Sequence, residues 1–93
     1  SEAPKMRLVE LFKQFRKNHM MTQKQLALML EVSENYIYMI ESYRRTPSLK
    51  LSLKIGDLFG ASKGWVHSMW FNAVRVDQGR WKEESYERIR NPR

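Results

Sequence analysis

The sequence predicts an all-α fold: five short helices in one small domain, followed by a short helical C-terminal extension. Three observations carry this. Apolar residues recur at spacings of three and four, and no strand pattern stands out. Small polar residues that suit helix N-caps (Thr22, Ser33, Ser48 and Ser62) stand ahead of successive apolar-periodic runs. The 93 residues, 42% of them hydrophobic, suffice for one modest core and are too few for two domains.

Taken in order, Leu8, Phe12, Phe15 and His19 fall at helical spacing and give a first helix over residues 4–18. Pro4 suits its start, where a missing N–H costs little. Thr22 and Gln25 have the form of a capping box, in which hydroxyl and amide side chains satisfy each other's backbone N–H. They open a second helix carrying Leu26, Ala27 and Leu30. Only Glu31-Val32 then precede Ser33, the N-cap of a third helix over 34–42 with Ile37, Ile40 and Glu41 on one face. Two short helices joined by so tight a turn have helix-turn-helix geometry.

Arg44-Arg45-Thr46-Pro47 interrupts the pattern, since a residue before proline is pushed out of the helical region. Ser48 caps a fourth helix holding Leu49, Leu51, Leu53, Ile55, Leu58 and Phe59, which ends at Gly60-Ala61. Ser62 caps a fifth holding Trp65, Val66, Met69, Trp70 and Ala73. Gln78-Gly79 marks a break, and a sixth helix is expected over 81–90. The organisation is a domain over 5–74 and an extension over 75–93, read as a dimerisation element or a linker.

Composition narrows the function. Seventeen Lys and Arg against ten Asp and Glu give a net charge of +7, which suits a polyanionic partner such as nucleic acid. No cysteine is present, so disulfides and Cys-based zinc sites are excluded. No apolar run approaches the roughly 18 residues of a membrane span. His19 and His67 are too far apart for a local metal motif, and neither a glycine-rich phosphate loop nor a Ser/His/Asp set occurs, so no enzyme, metal or cofactor is expected.

The run Met21-Thr22-Gln23-Lys24-Gln25-Leu26-Ala27, then Val32-Ser33, then Ile37-Tyr38-Met39-Ile40-Glu41, then Arg44-Arg45-Thr46-Pro47-Ser48-Leu49 resembles the phage repressor/Cro-type family of helix-turn-helix proteins. The likeness covers about residues 5–71. No single piece is specific, but all occur in order and at the right spacing. The resemblance implies a five-helix, lambda-repressor-like domain that binds double-stranded DNA as a transcriptional regulator. Repression, a bacterial or phage origin and a cytoplasmic location are expectations from the family.

The residues support that reading. Small Ala27 lets the second helix pack closely on the third, and Leu26, Leu30, Val32, Ile37 and Ile40 supply the seam that fixes their angle. The exposed face of the third helix, Glu34, Asn35, Tyr38 and Met39, is then free to enter a major groove and contact bases. Asn35 can pair bidentately with adenine, and Tyr38 or Met39 can touch a thymine methyl. Glu34 can accept from cytosine N4 or instead favour the helix N-terminus through its dipole.

For the DNA backbone the resemblance implies phosphate contacts from Gln23, Tyr43, Arg44, Arg45 and Thr46, and Lys24 and Ser33 are expected to join the same footprint. It also implies a structural ion pair between Arg16 and Glu41. Relatives often carry glycine before the motif, in its turn and after the recognition helix. Here Met20, Glu31 and Tyr43 stand there, at places where glycine usually relieves a left-handed backbone.

The C-terminal third is aromatic. Trp65, Val66 and Met69 are expected to close the core. Trp70, Phe71 and Trp81 are harder to bury in one small domain and are expected to form a homodimer interface. The alternative is an antitoxin or bridging module that binds a protein partner on the same fold. Gln23 together with Arg44-Arg45 weighs against it, because a domain that had abandoned DNA would have little reason to keep both. RNA binding lacks a stacking platform of aromatics on a sheet.

Overall fold

The computed structural model describes the backbone of residues 3–90 and the side chains of residues 8–76. Five helices follow one another: α1 (Ala3–Asn18), α2 (Gln23–Leu30), α3 (Glu34–Glu41), α4 (Leu49–Leu58) and α5 (Lys63–Arg90). No strand occurs among the described residues.

The N-caps lie where the hydroxyl residues stand. Thr22 Oγ accepts from Gln25 N–H at 3.1 Å while Gln25 Oε1 accepts from Thr22 N–H at 2.8 Å, a complete capping box. Ser33, Ser48 and Ser62 each accept through Oγ from the backbone N–H three residues on, at Tyr36, Leu51 and Trp65.

The C-terminal ends of α1 to α4 share one geometry. Past each helix a residue enters the left-handed region: Met20 (φ 53°), Glu31 (φ 61°), Tyr43 (φ 61°) and Gly60 (φ 73°). Its N–H reaches back three residues and the next N–H reaches back five, as in Met20 to Lys17 and Met21 to Arg16. The same pairs recur at Glu31/Val32, Tyr43/Arg44 and Gly60/Ala61. This is the Schellman motif, which satisfies carbonyls that a helix end leaves orphaned. The three sites where glycine is missing therefore keep the left-handed geometry that glycine usually serves.

The core joins Leu8, Val9, Phe12 and Phe15 of α1 to Leu26, Ala27 and Leu30 of α2, Ile37 and Ile40 of α3, Leu51 and Ile55 of α4, and Met69 and Ala73 of α5. α5 packs on α1 and α4, and α2 packs on α3. Gly56 lets α4 approach α5 closely: a Cβ there would lie 2.5 Å from Val66 Cγ2.

Two expectations need correction. Gln78-Gly79 does not break the chain; α5 runs as one helix of 28 residues, and the expected sixth helix is its continuation. A lone glycine inside a helix costs only about 1 kcal/mol relative to alanine, too little to end it without proline or a cap. The boundary expected at residue 74 thus falls inside α5. Trp65 does not close the core: Val66 and Met69 are buried but Trp65 is 50% exposed. The buried seam of α5 runs through 66, 69 and 73, and Trp65 lies outside its edge, about 40° of helical rotation beyond Met69.

Candidate nucleic-acid interface

α3 presents two faces. Ile37, Ile40 and Glu41 are buried, while Glu34, Asn35 and Tyr38 are exposed and Met39 is half-buried. The side-chain amide of Asn35 donates to Met39 Sδ at 3.6 Å, and a thioether is a weak acceptor that the amide can give up for a base. The four residues expected to face bases therefore share one side of a helix whose other side is locked in the core.

What locks it is an ion pair at the junction of the first three helices. Arg16 donates from Nε to Glu41 Oε2 at 2.9 Å and to Oε1 at 3.2 Å, and from Nη2 to Oε1 at 2.9 Å. Its Nη1 donates to the Met21 carbonyl at 3.2 Å. Glu41 is buried, so this forked, charge-assisted arrangement is what makes its carboxylate tolerable there. Gln23 joins in, donating from Nε2 to Glu41 Oε1 at 3.3 Å. The amide carries two N–H groups, so one can serve Glu41 and the other an approaching phosphate.

The other residues expected at phosphates are placed as follows. Lys24 is exposed on α2, and Ser33 is exposed with its Oγ already accepting from Tyr36 N–H. Tyr43 is half-buried; its hydroxyl donates to Glu10 at 3.1 Å and Lys13 sits 4.7 Å from its ring centroid, tying the loop to α1. Thr46 is half-buried. Arg44 and Arg45 are exposed, with no carboxylate partner among the described residues, and each stands over a tyrosine of α3. Lys54, on α4, is paired with Glu31 of the turn at 4.0 Å.

Two features were not foreseen. Tyr36 accepts through its hydroxyl from Ser48 N–H at 3.0 Å and underlies Arg45. Its one sequence signal is its place four residues before Ile40, on the flank of the buried face. Trp70 is half-buried and donates from Nε1 to the carbonyl of buried Pro47 at 2.9 Å, fixing the loop that follows the arginines. No local pattern connects residues 23 apart. Phe71 is 51% exposed, and the side chain of Trp81 lies outside the described residues.

The result is a short helix with an exposed polar face, held at a fixed angle on a partner helix and followed by a loop with two arginines that lack carboxylate partners among the described residues. That arrangement defines a helix-turn-helix DNA-binding domain. The helix-turn-helix family model matches residues 12–66, more than half of the chain, and the protein belongs to this Cro/repressor-type family. No curated protein and no solved structure matches the chain. Among the described residues, no helix is long and apolar enough to cross a membrane.

Proposed function

We propose that the protein is a transcriptional regulator that reads a near-palindromic DNA operator as a homodimer, with α3 in the major groove. The observation that carries this is the division of α3: Ile37, Ile40 and Glu41 fix it to the domain, leaving Glu34, Asn35, Tyr38 and Met39 on its free side. In this reading those four touch base edges. Gln23, Lys24, Ser33, Tyr43, Arg44, Arg45 and Thr46 meet the backbone, hold register and carry no sequence information directly. Occupying the operator represses transcription.

The homodimer forms through α5, with Phe71, Trp70 and Trp81 at the contact. Phe71 supports it by being an apolar ring half open to solvent; Trp70 offers only the part that its bond to Pro47 leaves exposed. Two-fold symmetry sets the recognition helices roughly 34–36 Å apart, one turn of DNA. Selection from a pool of random duplexes tests this. Enrichment of a two-fold site, bound by two chains in sedimentation, is the expected result. Failure of the folded protein to enrich any sequence contradicts it and points to a protein partner instead.

A further inference from the structure

We infer that Tyr36 is a positioning residue for the DNA backbone: its ring is a shelf that presets Arg45 to meet a phosphate. This rests on the DNA-binding reading and adds to it a residue with no base or phosphate contact of its own.

The shelf is fixed from several sides. Tyr36 packs against the core cluster. Its backbone N–H is held by the Ser33 cap at 3.0 Å, and its hydroxyl accepts from Ser48 N–H at 3.0 Å, the first residue beyond the basic loop. A ring so tied to the start of both α3 and α4 has little freedom to move. The Arg45 guanidinium carbon lies 4.8 Å from the ring centroid, within cation–π range. The root of Arg45 is fixed too, because its backbone N–H donates to the Met39 carbonyl at 3.2 Å.

Stacking does not consume what a phosphate needs. A guanidinium lying on an aromatic face keeps its N–H donors around the edge of its plane. With no carboxylate partner among the described residues, Arg45 keeps its charge uncompensated and its rotamers restricted. A long side chain held in this way gives up less freedom on contact than one waving in solvent. Arg44 differs: its guanidinium is 5.6 Å from the ring of Tyr38, which is 43% exposed and belongs to the face proposed to read bases. The two arginines therefore have separate roles, Arg45 preset and Arg44 adaptable.

A double-mutant cycle on the full chain tests this, with a random-sequence DNA duplex as probe and affinity followed over about 50–200 mM salt. Arg45→Ala is expected to lower the slope of log affinity against log salt by about one. Tyr36→Leu is expected to lower it equally, weakening binding about two- to fivefold, the worth of one exposed cation–π contact. The double variant should show no further loss. Tyr36→Phe, which keeps the ring, should restore the slope, and the side-chain protons of Arg45 should show an upfield ring-current shift in the wild type.

An unchanged slope in either single variant overturns the inference, as does additivity of the two, even if Tyr36→Leu lowers thermal stability. Should Tyr36→Leu not fold, loss of slope in Tyr36→Phe or absence of the ring-current shift overturns it. A wild-type chain with no salt-dependent DNA binding at all would instead sink the DNA reading, and this inference with it.

Discussion

At Met20, Glu31 and Tyr43 the backbone turns through a region that L residues avoid, at roughly 1–2 kcal/mol each. The side chains differ in what they return. Met20 is 91% exposed, so Met20→Gly relieves the strain and forfeits little packing. Glycine's looser unfolded chain offsets roughly 0.4–1 kcal/mol of that relief. We expect a net gain of about 0.5–1 kcal/mol, read as a higher urea midpoint at unchanged slope. Tyr43→Gly should give no such gain, because it removes the bond to Glu10 and the contact with Lys13. Equal stabilisation at both sites would show that the Tyr43 clamp contributes nothing. A second effect at this scale concerns Arg16. Arg16→Met leaves the buried Glu41 carboxylate unpaired and should cost about 3 kcal/mol, the lower end of the buried-pair range because the arginine is partly exposed. Adding Glu41→Met should recover most of that loss in thermal unfolding; a pair that is worth its full Coulomb energy would show no recovery.

Helix packing decides the next scale. The contact of α4 with α5 depends on Gly56, where a methyl group would meet Val66 Cγ2 at 2.5 Å. Val66 is β-branched and buried, so it cannot swing aside. Overpacking of about 1–3 kcal/mol should exceed the helix propensity that alanine adds, about 1 kcal/mol. Gly56→Ala is therefore expected to lower the melting temperature, and the same change in a Val66→Ala background is expected to raise it. Failure of the sign to reverse would mean that the close approach is not what the glycine serves. Much at this level was legible in the sequence, because caps and turns are local chemistry. The hydroxyls at Thr22, Ser33, Ser48 and Ser62 mark four helix starts, and the missing glycines mark three of the left-handed ends. The break expected at Gln78-Gly79 was illegible for the converse reason: a glycine is a local penalty, and flanking helix formers outweigh it. Trp70 and Tyr36 took their places through tertiary contacts that no spacing rule encodes. A distant carbonyl engaged Trp70, and the next helix's cap engaged Tyr36, whereas Trp65 stands at the edge of the α5 seam and stays half exposed.

For the molecule as a whole, the division of labour follows from these parts. α1 and α5 form the body against which α4 packs, and α2 packs on α3. The Arg16–Glu41–Gln23 junction connects that body to α3, so the exposed face of α3 has a fixed angle. The positive charge of the chain suits attraction to any duplex, whereas in the proposed reading discrimination between duplexes comes from α3. The two proposed contributions separate experimentally, since phosphate contacts set the salt dependence and base contacts set the sequence preference. The most direct test of the central claim is the affinity of wild type and Asn35→Ala for the selected operator and for its single base-pair variants. The wild type should lose about 1–3 kcal/mol at one position of each half-site, and Asn35→Ala should lose that preference while keeping the same salt slope. Undiminished discrimination by Asn35→Ala at every position would contradict a base-reading role for the exposed face of α3.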